Sequence, residues 1–212
     1  MIKSLAFDIG QVICHVDFDR LETLARVKYG VGNNDFYRWL DEVSIQVDLG
    51  IWTIEQASQY LGSGEVDLEE IAKEWFFCLD MSEQMMDTLS SLADMHFDIY
   101  LLSNIGHQHR DFIVNKNRAF FRSCRGFVAS CDAQVRKPQK AFFEYTIRLY
   151  PELKGSLYFD DREENCEAAK DYLRPIRFHL TDFKDDNEAA RKIYEYVLRD
   201  QSLSEIPPPS TS

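Results

Sequence analysis

Short apolar runs recur along this 212-residue chain, and each ends in small or charged residues. Runs of this kind are typical of buried strands. Five are found, at residues 2–9, 98–104, 126–130, 156–161 and 176–180. Helical patterns separate them, at residues 83–93, 108–117, 140–149 and 163–172. This alternation predicts an α/β fold with a doubly wound, mainly parallel sheet, in which the carboxyl ends of the strands share the ligand-binding edge.

The segment from about residue 17 to residue 80 has helical periodicity and no clear strand pattern. Its apolar residues suit two amphipathic helices, namely Leu21, Leu24, Ala25 and Val27 for the first, and Phe36, Trp39, Leu40 and Val43 for the second. Possible capping boxes at Thr53-x-x-Gln56 and Asp67-x-x-Glu70 open two more. We therefore predict a small α-helical cap, inserted after the first strand and placed over the carboxyl edge of the sheet.

These patterns divide the chain into a core of residues 1–15 and 82–201, a cap of residues 16–81, and a tail. Residues 202–212 contain three consecutive prolines among small polar residues, so we expect a loose, disordered tail there.

Charge and cysteine usage narrow the possible partners and surroundings. The formal net charge is -12, with 36 acidic against 24 basic residues, which argues against nucleic acid as a partner. The five cysteines are scattered without paired spacing, which favours free thiols in a reducing compartment. No apolar run is long enough to span a membrane, and the first residues resemble a strand more than a signal peptide. We expect a cytoplasmic protein that does not bind membranes, and the sequence predicts no oligomeric state.

Polar residues that could do chemistry follow four of the predicted strands or the loops between them. Asp8 ends the first strand, where a carboxylate needs a partner, although it could also begin an ordinary turn. Ser103-Asn104 ends another strand and offers hydrogen-bonding groups for a phosphoryl oxygen, or simply a turn. Lys137 precedes a helix and could neutralise phosphate, or lie in solvent.

Asp160 and Asp161 form the most informative pair. Two adjacent carboxylates repel each other and resist burial, so a hard divalent cation with oxygen ligands would stabilise them. A solvent-exposed loop is the alternative. The order of these four polar segments along the chain strengthens the functional interpretation of each, because the strand ends of a doubly wound sheet converge on one edge.

In this order the motifs resemble those of the haloacid dehalogenase (HAD)-like superfamily. The four matching segments are Phe7-Asp8-Ile9-Gly10, Leu102-Ser103-Asn104, Arg136-Lys137-Pro138 and Phe159-Asp160-Asp161. As a set they are specific, whereas singly none is. The resemblance spans residues 2 to 182 and implies a Rossmann-like core with a small helical cap after the first motif.

The resemblance also implies roles for the residues that end the strands. Asp8 would attack phosphorus and form an aspartyl-phosphate. Mg²⁺ would be held by Asp8, the main-chain carbonyl of Gly10 and Asp160, with Asp161 as a further metal-site residue that orients metal-bound water or supports the direct ligands. The phosphate would be bound by residues of the second and third motifs, which are Ser103, Asn104 and Lys137. Asn104 would contact substrate or shape its loop, and Asn165 would help to fix the metal loop.

Gly10 departs from the common HAD pattern. Most phosphatases of this type have a second Asp at that position, which protonates the leaving group and then activates water. The chain instead resembles an Asp-x-Gly subgroup that includes bacterial sugar-phosphate phosphatases of the glucose-1-phosphate type, also in Val16-Asp17-Phe18. General acid–base catalysis typically increases the reaction rate ~10²–10⁴-fold, so the loss of this carboxylate predicts a slow enzyme.

The resemblance therefore implies a magnesium-dependent phosphohydrolase that acts on a small phosphorylated metabolite, such as a sugar phosphate. Two alternatives stay open. A metal-independent 2-haloacid dehalogenase would need no general acid, but paired carboxylates without a cation would repel its carboxylate substrate. A non-catalytic HAD-like binding protein would explain Gly10 as lost chemistry.

Overall fold

The computed structural model describes residues 3–62 and 65–204. Its strands are β1 (Ser4–Phe7), β2 (Cys14–Val16), β3 (Leu79–Met81), β4 (Asp98–Ser103), β5 (Gly126–Ala129), β6 (Leu157–Asp160) and β7 (Arg174–Arg177). Its α-helices are α1 (Asp19–Tyr29), α2 (Asn33–Asp48), α3 (Ile54–Ser58), α4 (Leu68–Phe77), α5 (Glu83–Asp94), α6 (His107–Lys116), α7 (Arg118–Ser123), α8 (Ser130–Ala133), α9 (Lys140–Leu149), α10 (Glu163–Ala169) and α11 (Asp186–Ser204). Short 3₁₀ helices cover Pro151–Leu153 and Leu180–Asp182.

Five of the strands form a parallel sheet in the order β5-β4-β1-β6-β7. Phe7, the last residue of β1, pairs with Leu101 on one side and with Phe159 on the other. Because the strands are parallel, the residues that follow them lie at one edge of the sheet. This register places Asp8 between Ser103 and Asp160, so the predicted α/β architecture is confirmed.

Both faces of the sheet are buried by helices. Along β1, Leu5 and Phe7 belong to one hydrophobic cluster, while Ala6 belongs to another on the opposite face. The first cluster includes residues of α5 and α11, and the second includes Phe142 and Phe143 of α9. Buried on both sides, the strands read as continuous apolar runs, which explains why they were predictable.

Helices α1 to α4 form the predicted cap with a hydrophobic core of its own. All four apolar residues predicted for the second cap helix are buried in α2. In α1, Leu21 and Ala25 are buried, but Val27 is 71% exposed, so the prediction for Val27 was wrong. Thr53 and Gln56 make both bonds of a capping box, whereas Asp67 only accepts from the Glu70 N–H. Helix formation in the cap thus follows local sequence signals.

The cap begins and ends at a two-stranded antiparallel sheet that the sequence pattern did not predict. Cys14 of β2 pairs with Met81 of β3, and Val16 pairs with Leu79. Each strand has only three residues, too few for an alternating pattern to be recognised. The predicted boundaries between cap and core, at residues 15/16 and 81/82, fall in this sheet and stay predictions.

The C-terminal helix was not predicted either. Ala189, Ile193 and Val197 recur at helical spacing and pack into the core on one face of α11. This helix ends at Ser204, so it includes the first three residues of the predicted tail, and the rest of that tail lies outside the described residues.

Among the described residues, no helix is both long and apolar enough to cross a membrane.

The cap contacts the core closely at Gly106, just before α6. A Cβ atom at this position would lie 2.6 Å from Val47 Cγ1 and 2.7 Å from the Val47 carbonyl oxygen, both in the cap. We expect Gly106→Ala to lower the free energy of unfolding by about 1–3 kcal/mol because the cap must move. Thermal denaturation measures this. The control is Gly32→Ala, whose nearest contact would be an ordinary 3.6 Å to Asp35; equal losses in both variants would contradict the expectation.

Candidate active site

Asp8 lies in the loop directly after β1, at the centre of the sheet edge. Its N–H donates to the Phe159 carbonyl at 2.8 Å, which fixes the backbone, and the residue is only 7% exposed. The carboxylate oxygen Oδ1 accepts from the Ile9 N–H at 2.7 Å and from Lys137 Nζ at 2.9 Å. Burial raises the pKa of Asp8 to about 7, although the attraction of Lys137 opposes this shift.

Lys137 is almost completely buried, at 1% exposure, and is the positive charge of the site. Its Nζ lies 2.9 Å from Asp8 Oδ1 and 2.7 Å from Asp160 Oδ2, and it donates to the Leu102 carbonyl at 2.8 Å. Burial alone would lower the pKa of Lys137, but the attraction of Asp160 and Asp8 raises it overall. Lys137 is therefore a fixed ammonium that joins the end of β1 to the end of β6.

Asp160 and Asp161 are adjacent, but the structure places them very differently. Asp160 has no exposed surface, and each of its oxygens accepts two hydrogen bonds. The Oδ1 donors are the Arg162 N–H at 3.0 Å and Asn165 Nδ2 at 2.9 Å; the Oδ2 donors are Lys137 Nζ and the Tyr158 hydroxyl. Burial would raise the pKa of Asp160, but Lys137 lowers it overall. Asp161, by contrast, lines the cavity described below.

Ser103 ends β4 and Asn104 follows it, on the other side of Asp8, and both line the cavity. Ser103 is buried at the strand end. The Asn104 amide makes two hydrogen bonds to the backbone of Lys137, donating to its carbonyl at 2.9 Å and accepting from its N–H at 2.8 Å. The structure therefore uses Asn104 to join the second and third motifs.

A cavity of about 430 Å³ opens above these residues, between core and cap. Its floor contains Asp8, Gly10, Lys137 and Asp161 from the core. Its roof comes from the cap and consists of Phe18, Leu40, Asp41, Ser44, Val47, Asp48 and Trp75. This volume lies in the lower part of the range for small-molecule sites.

The end of α2 is fixed to the core beside the phosphate-binding motifs. Ser130 donates from its hydroxyl to the Asp48 carbonyl at 2.6 Å and accepts from the Ile105 N–H at 2.9 Å. Arg136 Nη2 lies 3.0 Å from Asp48 Oδ2. Burial raises the pKa of Asp48 to about 6, despite the opposing attraction of Arg136. The cap thus brings its own carboxylate to the cavity wall.

Some residues of the site were not recognised in the sequence. Tyr158, two residues before Asp160 on the same side of β6, has the sequence pattern of an ordinary strand residue. His109 lines the cavity, is 7% exposed and packs against Trp75 and Phe76 of the cap. Burial lowers the pKa of His109 to about 4, so its ring is neutral near pH 7. Neither role has a sequence signal, because both depend on packing between distant segments.

The residues at the sheet edge fit a hard divalent cation. One oxygen from each of Asp8, Asp160 and Asp161 lies within 4.8 Å of the others, and carboxylates are the ligands that Mg²⁺ prefers. Lys137 balances only one of the three negative charges, which leaves the cluster electrostatically suited to a cation. A second group of possible ligands, at His107, Cys131 and Asp132, already binds the Arg110 guanidinium through Asp132.

No protein-family model matches the sequence, and no curated protein matches it. Solved structures do resemble this one. A HAD family enzyme from Bacteroides thetaiotaomicron, in complex with magnesium and inorganic phosphate, is 24% identical with a TM-score of 0.72; the match covers 84% of this chain and 94% of that one. A predicted HAD-like family hydrolase from Porphyromonas gingivalis is 21% identical with a TM-score of 0.68, over 94% and 98% of the chains.

The chain has a HAD-like fold. An L-2-haloacid dehalogenase from Xanthobacter autotrophicus resembles it as well, with 15% identity and a TM-score of 0.60 over 98% of this chain and 85% of that one. At these identities the comparisons concern the fold, and HAD-like enzymes of different chemistry share it. The predicted HAD-like architecture is confirmed, whereas the sugar-phosphatase subgroup stays a prediction.

Proposed function

We propose that this HAD-like protein is a magnesium-dependent phosphohydrolase, which cleaves a small phosphate monoester through an aspartyl-phosphate on Asp8. The observation that supports this most is the contact of 2.9 Å between Asp8 and buried Lys137 at the cavity floor, where Asp161 also lies and buried Asp160 is close by. The attraction of Lys137 opposes the effect of burial and favours the negative charge on Asp8. An ionised carboxylate at the floor of a cavity is suited to nucleophilic attack.

The proposed reaction uses two displacements at phosphorus. Among the described residues, the hydrogen bonds to the Asp8 carboxylate go to Oδ1, so we assign Oδ2 to the attack. A bond forms between Oδ2 and phosphorus while the ester P–O bond breaks, and the released alkoxide takes a proton from solvent water. A water molecule then attacks phosphorus and gives up a proton to solvent, while the bond between phosphorus and Oδ2 breaks, which releases phosphate and restores Asp8. Ser103 would donate to a transferred phosphoryl oxygen, and the positive charge of Lys137 would stabilise the phosphoryl group.

For Mg²⁺ we propose Asp8, Asp161 and the Gly10 carbonyl as the protein ligands, which exchanges the expected roles of the two adjacent aspartates. The sequence predicted Asp160 as a direct ligand, but its oxygens are fully used by four protein donors. Asp161 lines the cavity beside Asp8. Asp160 would instead fix Lys137. When bound, Mg²⁺ neutralises charge on the phosphoryl oxygens.

Phosphate release from p-nitrophenyl phosphate and a panel of small phosphorylated metabolites tests this function, with Mg²⁺ and with EDTA. We expect turnover that EDTA abolishes. Halide release from a 2-haloacid in EDTA would favour the dehalogenase instead. Absence of turnover on the whole panel would favour a non-catalytic binding protein.

The free thiols of all five cysteines support the expected cytoplasmic location.

A side chain can be introduced at Gly10 without a steric conflict at its Cβ atom. A Cβ on Gly10 would meet only Val16 Cγ2, at an ordinary 3.6 Å. We expect Gly10→Asp to raise kcat for an alkyl phosphate at least ~10-fold, because positioned acid–base groups typically contribute ~10²–10⁴-fold. p-Nitrophenyl phosphate should gain little, since its leaving group needs no proton. The matched control is Gly10→Asn, and an equal gain there would show that no acid is involved.

Binding of Mg²⁺ should depend on pH. In the absence of a cation the pKa of Asp8 is about 7, so below this pH the carboxyl group must lose a proton to become a ligand. The affinity for Mg²⁺ should therefore rise with pH and level off above about pH 7. Isothermal titration calorimetry in two buffers of different ionisation enthalpy measures the released protons. Equal affinities at about pH 6 and about pH 8 would contradict this linkage.

A further inference from the structure

A second cluster of possible metal ligands lies outside the cavity of the proposed active site. His107 begins α6, and Cys131 and Asp132 belong to α8. One ligand atom from each of these three residues lies within 4.8 Å of the other two. The cluster combines an imidazole, a thiol and a single carboxylate, whereas the group at the cavity floor consists of carboxylates. Imidazole and thiolate ligands favour Zn²⁺, while Mg²⁺ prefers oxygen ligands.

The distances between the ligand atoms are close to those of a tetrahedral zinc site. His107 Nδ1 lies 3.7 Å from Asp132 Oδ1, and Cys131 Sγ lies 4.0 Å from the same oxygen. Bond lengths of about 2.0–2.3 Å place tetrahedral ligands about 3.3–3.6 Å apart. Small side-chain rotations would therefore bring the three atoms around one ion. His107 and Asp132 are exposed, so an ion can reach them from solvent.

A positive charge already contacts two of the three residues, and it is supplied by Arg110 of α6. Its Nη1 donates to Asp132 Oδ1 and lies 3.8 Å from Cys131 Sγ. The same guanidinium also makes two bonds to Asp111 Oδ1, from Nε at 3.0 Å and from Nη2 at 2.8 Å. Arg110 can therefore turn away from Asp132 and keep Asp111 as its partner. The cluster attracts a cation, and Arg110 is the group that a metal ion must displace.

The cap holds one of the ligands in a suitable orientation. Gly50, which follows α2, comes so close that a Cβ atom there would lie 2.6 Å from His107 Nε2 and 3.2 Å from Cys131 Cβ. The Nε2 edge of the imidazole therefore faces the cap, and Nδ1 is left to face Asp132. An ion bound to this cluster would join α6 to α8 at the surface that supports the end of α2.

We propose that His107, Cys131 and Asp132 form a second metal site, which binds Zn²⁺ and is independent of the proposed phosphatase reaction. Three protein ligands leave the fourth tetrahedral position to water, an arrangement that differs from closed structural zinc sites. Burial raises the pKa of the Cys131 thiol to about 11, so the thiol keeps its proton in the metal-free protein. A zinc ion bound to this sulfur displaces the proton to solvent, because the bound form is the thiolate.

Spectroscopy with Co²⁺ in place of Zn²⁺ tests whether the sulfur is a ligand. A thiolate bound to Co²⁺ gives a strong charge-transfer absorption in the near ultraviolet, which carboxylate ligands do not give. Excess Mg²⁺ is added first, so that the carboxylates at the cavity floor are occupied. We expect the thiolate absorption to appear on addition of Co²⁺ and to disappear when Zn²⁺ replaces it. Absence of this absorption would overturn the proposal.

Two substitutions should change the affinity for Zn²⁺ in opposite directions, as measured by isothermal titration calorimetry in excess Mg²⁺. Cys131→Ser should weaken binding at least about tenfold, because even the loss of a group that only supports a ligand typically costs about 10–100-fold. Arg110→Met removes the competing charge and should strengthen binding at least about tenfold, since like charges a few ångströms apart repel strongly. The matched control is Cys124→Ser, whose thiol donates to the Phe120 carbonyl, and it should leave the affinity unchanged.

A third variant separates loss of a ligand from loss of the fold. Asp132 is exposed, so Asp132→Asn should leave the circular dichroism spectrum and the melting temperature nearly unchanged while it weakens Zn²⁺ binding at least about fivefold. Equal affinities in the unchanged protein, Cys131→Ser and Asp132→Asn would overturn the site, as would weaker binding by Arg110→Met. Loss of Zn²⁺ binding in excess Mg²⁺ would overturn it as well, because the ion would then belong to the cavity floor.

Discussion

Replacing Asp8 with Asn is expected to reduce kcat for every phosphate ester by about 10⁴-fold or more, as removal of an attacking residue does in other covalent enzymes. The amide has nearly the same size, so it can still accept from Ile9 and Lys137. It cannot form an acyl phosphate at the same rate, because it is a poor nucleophile. Single-turnover kinetics with p-nitrophenyl phosphate measures the loss in the attack step.

The control for this variant is Asp94→Asn, at the exposed end of α5. It makes the same chemical change far from the cavity and should leave kcat unchanged. A thermal unfolding curve shows whether Asp8→Asn is folded; removal of a buried charge should not lower its stability much. Residual turnover equal to that of the unchanged protein would exclude Asp8 as the nucleophile and with it the proposed covalent mechanism.

The position of Asp8 was predictable because three independent signals agree there. An apolar run identified β1, a parallel sheet aligned its end with those of β4 and β6, and the four motifs followed in order. Sheet topology converts distant sequence positions into neighbours, since parallel strands end at the same edge. This explains why Asp8, Ser103 and Asp160 lie close together, and the loop between α8 and α9 adds Lys137 to them, although no local pattern relates these residues.

The different environments of Asp160 and Asp161 could not be predicted in the same way. Their order in the sequence is clear, but which of them faces the cavity depends on the pleat of β6, which alternates side-chain direction at each residue. Tyr158 shares the buried side with Asp160 and donates to it. The contact of Arg136 with Asp48 could not be predicted either, because it joins the cap to the core across 88 residues of sequence.

Replacing Lys137 with Met is expected to destabilise the protein by about 3–5 kcal/mol, the usual cost of leaving a buried charge without its partner. Lys137 is 1% exposed and is paired with two buried carboxylates, Asp8 at 2.9 Å and Asp160 at 2.7 Å. Methionine fills a similar volume, so packing changes little and the effect is mainly electrostatic. Chemical denaturation measures the free energy of unfolding, and phosphate release should fall with it.

The dependence of this loss on pH separates charge from packing. Without Lys137, burial and mutual repulsion raise the folded-state pKa of Asp8 and Asp160 above their unfolded values, so stability is lost as pH rises through those folded values. The destabilisation should therefore shrink at acidic pH and grow toward neutral pH. Adding Asp160→Asn should recover part of it. The control is Lys140→Met, which breaks an exposed ion pair of 2.9 Å with Asp171 and should leave stability unchanged. A loss in Lys137→Met that is independent of pH and unaffected by Asp160→Asn would mean that Lys137 acts by packing, and the central ion pair of the proposed site would lose its electrostatic role.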